Sequence, residues 1–272
     1  MFLEVTTPQG AARIYAYTGG KAFDTAKPTA IFIHGVLCDH SVWALQSRYM
    51  ANHGWNVLAI DLPGHCKSDG AAPATVEDAA AFIGQLMDAA GVAQAALIGH
   101  SWGSLIAMEA AATLKDRISH LVLVGTAFPM KVSPALLESA LATPEKAIAM
   151  VNTFSRATLS PPNGAGSWVF GAGMALGRRV LASNSTVNLL HAGFTACDSY
   201  AGGEAAMAQI SAPVLFVLGE QDQMTPPKAA KGLIDAAKAA GKTVKVQMIP
   251  NGHNQMTESP DPTLFAIRDF LK

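Results

Sequence analysis

Residues 94–114 read QAALIGHSWGSLIAMEAAATL. The first part is a short apolar run, the last an alanine-rich stretch that favours helix, and between them Gly99 and Gly103 bracket Ser101. A brief apolar run that stops at a glycine fits a strand buried on both faces, and the straight-chain residues after it fit a helix. The stretch is therefore one strand–turn–helix unit. A Gly-x-Ser-x-Gly turn in that setting strains the serine backbone and lifts its hydroxyl clear, and only residues as small as glycine fit on either side. The helix that follows points unpaired N–H groups and its positive dipole end at the same spot. The plain alternative is a small polar residue in a tight turn. Chemistry at Ser101 needs a base within reach and a carboxylate to orient that base.

The same unit recurs along the chain. TAIFIHG (29–35), NVLAIDL (56–62), HLVLVGT (120–126), APVLFVLGE (212–220) and TVKVQMIP (243–250) read as strands, and LEVTTPQGAARIYAY (3–17) as two strands around a Pro-Gln-Gly turn. Helices are expected near 41–53, over 75–90 with Gly91 as cap, over 227–241, and at the end in PTLFAIRDFLK (262–272). Alternating strands and helices predict an α/β fold, a doubly wound, mostly parallel sheet of about eight strands. Residues 127–207 break the alternation with helical stretches such as SPALLESALATPEKAIAMVNTF and the Pro-Gly-Ser-rich LSPPNGAGSWVFGAG. They are expected to form a helical cap inserted after the sixth strand, over the top edge of a core made of 1–126 and 208–272.

Composition narrows the function. The chain has 272 residues, half of them hydrophobic, and 19 Lys plus Arg nearly cancel 20 Asp plus Glu. No basic run or aromatic-interleaved basic stripe is present, so nucleic acid is not an expected partner. The start, MFLEVTTPQG, lacks the basic and apolar regions of a secretion signal, and no apolar run approaches the roughly 20 residues that span a bilayer. A soluble cytoplasmic protein with no membrane partner is the expectation. Cys38, Cys66 and Cys197, an odd number at wide spacing, read as reduced packing thiols rather than a disulfide frame or a metal site.

Eight histidines compete for the role of base. His34, at a strand end, and His65 read as structural residues beside the site, and His100, just before the serine, as shaping the elbow; His40, His53, His120 and His191 have no carboxylate pattern around them. His253 differs, because MIPNGHNQMTESP (248–260) places it in a turn just after the last expected strand, where side chains reach over the carboxyl ends of the sheet. Asp222 in FVLGEQDQMTP (216–226) occupies the equivalent position after the preceding strand; otherwise it would simply cap a turn beside Thr225 and Pro226. Asp61 and Glu220 are rival carboxylates.

The blocks FIHGVLCDHSVW (32–43), LAIDLPGHCKSDG (58–70), IGHSWGS (98–104), PVLFVLGEQDQMTP (213–226) and IPNGHNQMTESP (249–260) together resemble the α/β-hydrolase superfamily over nearly the whole chain. Serine, acid, histidine is also that architecture's chain order, which Asp61 would violate. The resemblance implies Ser101 as nucleophile, His253 as general base and then acid, and Asp222 as the group holding the imidazole tautomer. It further implies an oxyanion site from the backbone N–H groups of Val36, with Leu37 the alternative, and of Trp102, with no metal or organic cofactor. Cys66 departs from the glycine that family members commonly carry there. A serine at 101 disfavours dehalogenase and epoxide hydrolase chemistry, which rest on an aspartate nucleophile, and HGVLCD is unlike the HGGGPG type of carbon–carbon hydrolases. The expectation is a serine esterase for small to medium hydrophobic ester-like molecules. Alternatives are a carbon–carbon bond hydrolase, a cofactor-free perhydrolase, an acyltransferase or, least of all, a non-catalytic ligand receptor. Leu37, Phe128, Met130, Trp168, Phe170, Leu190 and Phe194 are the apolar candidates for a substrate pocket.

Overall fold

Four strands are buried at every position: β3 (Thr29–Ile33), β4 (Asn56–Ile60), β5 (Ala95–His100) and β7 (Val214–Gly219). Such strands need a cover on both faces. The computed structural model supplies it, describing residues 1–157 and 165–272, with only the backbone for 165–168. With β1 (Phe2–Thr7), β2 (Gly10–Tyr17), β6 (Ile118–Val124) and β8 (Val244–Ile249) they form one eight-stranded sheet in the order β1-β2-β4-β3-β5-β6-β7-β8. β1 and β2 form an antiparallel hairpin that joins β4 antiparallel, and every later pairing is parallel.

Strand period two sends alternate residues to opposite sides. Ile31, Ile33, Leu97, Leu121, Leu123 and Phe216 pack under α2 (Val76–Ala89), α3 (Trp102–Leu114) and α9 (Lys231–Ala239). Ala30, Phe32, Ile98, Val122, Leu215 and Val217 pack under α1 (Ala44–Asn52) and α11 (Pro260–Phe270) on the other face. β1 and β8 are the edges, and most of the β8 side chains are exposed.

Between β6 and β7 lie α4 (Pro134–Ala142), α5 (Pro144–Phe154), α6 (Ala165–Ala182), α7 (Leu189–Ser199) and α8 (Gly203–Gln209). Residues of α4 to α7, among them Leu136, Ile148, Met174 and Leu190, form a separate apolar cluster with Leu37. α8 instead buries Ala206 and Met207 in the sheet's own core beside α3 and α9. Among the described residues no helix is long and apolar enough to cross a membrane. The chain reverses its winding between β3 and β5, the neighbours at the sheet centre, so a crevice opens beyond their carboxyl ends.

Candidate active site

Ser101 closes β5 with φ 54° and ψ −120°, outside the ordinary regions for a residue with a side chain. A conformation of this kind costs about 1–3 kcal/mol and persists only where its surroundings enforce it. Here they do: a Cβ on Gly99 would lie 2.0 Å from the Gly103 carbonyl oxygen, and one on Gly103 would lie 2.4 Å from that of Ile33. Only glycine lets α3 start so close to β5 and β3. The Ser101 N–H donates to the Val124 carbonyl at 2.9 Å, which ties the turn to β6.

Asp222 and His253 come together from the loops after β7 and β8. His253 Nδ1 lies 2.8 Å from Asp222 Oδ2, and both side chains are buried. The other carboxylate oxygen, Oδ1, accepts the Met224 and Thr225 N–H groups at 2.8 Å each. Asp222 thus caps a turn with one oxygen and faces the imidazole with the other. The Thr225 hydroxyl adds a bond to Oδ2 at 2.8 Å and sits 3.0 Å from His253 Nδ1, a contact the sequence did not reveal. Burial pushes the Asp222 carboxyl upward, but His253 and the Thr225 donors outweigh it and hold it below the usual range.

Neighbouring histidines buttress the arrangement. His100 Nε2 donates to the His253 carbonyl at 2.9 Å, and burial, with His253 beside it, pushes its pKa down to about 3, so it is a neutral prop. His34 donates from Nδ1 to the Gly35 carbonyl and accepts the Leu62 N–H at Nε2. His65, down to about 4 through burial and then His34, bonds the Pro63 carbonyl and packs on Trp102. Asp61 is no rival for His253: its Oδ1 pairs with His40 Nδ1 at 2.8 Å, correcting the expectation that His40 lacks a carboxylate. The two residues are 21 apart in the chain, which hides the pairing from local sequence. Asp39, His40 and Asp61 gather closely enough to hold a cation, yet the carboxylates are engaged by Ser41, Arg179, His40 and the Lys67 N–H, which marks a structural network. Glu220 is exposed.

After β3, Gly35 to Cys38 form a tight turn with Leu37 at φ 59°. Neither the Val36 nor the Leu37 N–H finds an acceptor among the described residues. Trp102 is the first residue of α3, where helix geometry leaves the N–H without an intrahelical partner. Val36, Leu37, Ser101 and His253 all border a cavity of about 290 Å3, and Ser101 and His253 also border a second of about 240 Å3. Cys38, Arg156, Asn254 and Thr257 line the first; Met130, Val132, Leu136, Met150 and Phe154 line the second; Phe194, Val151 and Met224 stand between.

Of the expected pocket residues, Leu37, Met130 and Phe194 line these cavities. Three others do not. Phe128 packs edge-on against Tyr200, with ring centroids 5.9 Å apart, and beneath Gly203. Leu190 is wholly buried among α4 to α7, and Phe170 packs at the margin of that cluster. Trp168 lies outside the residues whose side chains are described. Cys38 faces the first cavity with its thiol raised by burial, then by Asp39, to about 12, so it is protonated. Cys66 borders neither cavity and points its thiol to Asp39.

A sheet switched at β3 and β5, a strained serine after β5 and a His–Asp pair from the last two strand ends define a class. Residues 28–173, more than half of the chain, match the family described as alpha/beta hydrolase fold, and the chain belongs to that family. It is 31% identical over 142 residues to lipase LipV of Mycobacterium tuberculosis, covering 48% of this chain and 52% of that protein. It is 32% identical over 95 residues to an epoxide hydrolase of Caballeronia sordidicola, covering 34% and 29%. The chain thus spans about half or less of these curated relatives. Among solved structures, an esterase from Exiguobacterium antarcticum superposes over 99% of both chains with a TM-score of 0.81 at 16% identity, a likeness of fold.

Proposed function

We propose that this chain is a serine hydrolase that cleaves carboxylic esters through an acyl-enzyme on Ser101. The observation that carries the reading is the strained Ser101 elbow opening onto cavities that it shares with His253, whose other ring nitrogen is held by Asp222. A serine hydroxyl is a weak nucleophile until a base takes its proton, and the Asp222 contact at Nδ1 leaves Nε2 as the acceptor. As Ser101 Oγ attacks the carbonyl carbon, charge develops on the carbonyl oxygen. The N–H groups of Trp102 and of Val36 or Leu37 then supply fixed donors, each contributing on the order of 3 kcal/mol. His253 returns its proton to the departing alcohol, and water activated by the same nitrogen releases the acid.

Residue 101 is a serine, so opening an epoxide by an aspartate at this position is not available to the chain. The second cavity, walled by Met130, Val132, Leu136, Met150, Phe154 and Phe194, suits a small to medium hydrophobic substituent. Helices α4 to α7 are read as a cap that sets substrate choice. The test is labelling with a fluorophosphonate probe, located by mass spectrometry, beside turnover of Ser101→Ala. The expected result is one adduct on Ser101 and loss of turnover of about a millionfold in the variant, with an unchanged thermal midpoint. Folded wild-type protein that takes no label at Ser101 refutes the proposal.

A further inference from the structure

Arg156 follows α5 and lines the first cavity together with Ser101 and His253. Its backbone is pinned on both sides to the loop that carries His253. The Ser155 carbonyl accepts the His253 N–H at 2.8 Å and the Asn254 N–H at 3.3 Å, and the Ala157 N–H donates to Glu258 Oε2 at 3.1 Å. The backbone that carries Arg156 is thus anchored beside the proposed base.

What this cation is for follows from what surrounds it. Its Nε is buried with no hydrogen-bond partner, and among the described residues it makes no ion pair. Glu258 is the nearby carboxylate, but its oxygens accept the backbone N–H groups of Ala157, Gly252 and Asn254. Cys38, the other ionisable neighbour, is a neutral thiol. Burial pulls the Arg156 pKa down, with the nearby Glu258 charge offsetting part of it, and an arginine stays protonated. The second cavity offers no such charge, because its Lys131 is engaged by the Asp198 carbonyl at 2.7 Å and lies 3.9 Å from the Asp198 carboxylate. Asn254 and Thr257 add polar groups to the wall of the first cavity.

We propose that Arg156 determines specificity by binding a carboxylate on the substrate, so that the natural substrate class is an ester or lactone carrying a free acid group, seated in the first cavity. A planar fork of donors matches a carboxylate bidentately, and a desolvated pair of this kind is stronger than a surface one. The inference rests on the ester-hydrolase reading above and extends it: the hydrophobic portion of the substrate occupies the second cavity, the acid the first.

The experiment compares the monomethyl esters of succinic, glutaric and adipic acids with methyl butanoate, pentanoate and hexanoate, following acid release by the full chain and by Arg156→Met and Arg156→Lys. Arg156→Met is expected to lose about ten- to a hundredfold in kcat/KM on the best acidic ester, with the neutral esters little changed and Arg156→Lys recovering part of the loss. Equal effects on both series, or none on either, overturn the proposal. Should Arg156→Met fail to fold, competition in the wild type decides. At least one of glutarate and adipate should inhibit neutral-ester turnover competitively, where chloride of equal ionic strength does not, and absence of that inhibition refutes the carboxylate site. If no ester of either series is hydrolysed, the hydrolase reading fails instead. Calorimetric titration of glutarate and adipate into wild type then tests Arg156 separately, with binding supporting the site and none refuting it.

Discussion

Asp222 shows how much one side chain can be asked to do. Its Oδ1 is committed to two backbone N–H groups and its Oδ2 to His253 and Thr225, so replacing it tests chemistry and fold separately. Asp222→Asn keeps an oxygen for the turn but presents an amide N–H toward His253 Nδ1, which favours the tautomer that cannot accept a proton from Ser101. Turnover of a neutral ester should fall about ten-thousandfold with a thermal midpoint close to wild type. Glu220→Gln should leave turnover unchanged, since Glu220 is exposed; a large loss in that variant and none in Asp222→Asn would reassign the acid. At this scale the sequence was most informative where glycine and chain order constrained chemistry, as at Ser101 and His253. It was mute where contacts are long-range: the His40–Asp61 pair, the Thr225 hydroxyl on the imidazole and the half-buried Arg156 leave no local pattern to read.

Among elements, the strands were legible because burial on both faces forces continuous apolar runs, and β3, β4, β5 and β7 are such runs. The helices after β6 were legible as helices but not in their facing. In a small apolar bundle every large side chain can be a wall, so Phe170 and Leu190 were expected at the cavity while Val151 and Met150 line it. The elbow between β5 and α3 gives the sharpest prediction of this kind. Gly99→Ala places a methyl against backbone that cannot move without displacing α3, so the variant should lose well over about 3 kcal/mol of stability. Soluble yield and thermal unfolding measure it. A Gly99→Ala protein that melts within a few degrees of wild type would mean that α3 can shift away from β5 at little cost.

For the molecule as a whole, Asp39 is one fastening between the sheet and the helices above it. It follows β3, is buried, and pairs with Arg179 of α6 at 2.6 Å. Burial alone would raise its pKa, but Ser41 and Arg179 bring it down to about 2. A carboxyl whose folded value lies below its unfolded value of about 3.9 stabilises the fold above that unfolded value and loses this as pH falls toward the folded one. The stability gap between wild type and Asp39→Asn, measured by urea unfolding, should therefore shrink by about 2 kcal/mol between pH 5 and pH 2. A gap that stays constant with pH would show that Asp39 is not the titrating link. The two cavities that meet at Ser101 carry a different consequence. Both have apolar walls, but only the first carries the Arg156 guanidinium, so on the proposed reading the two substituents of a bound carbonyl compound meet unlike surroundings. If Ser101 attacks as proposed, a stereocentre in either substituent sits against one unlike wall or the other, and the mirror-image forms of a racemic ester are expected to be consumed at unequal rates.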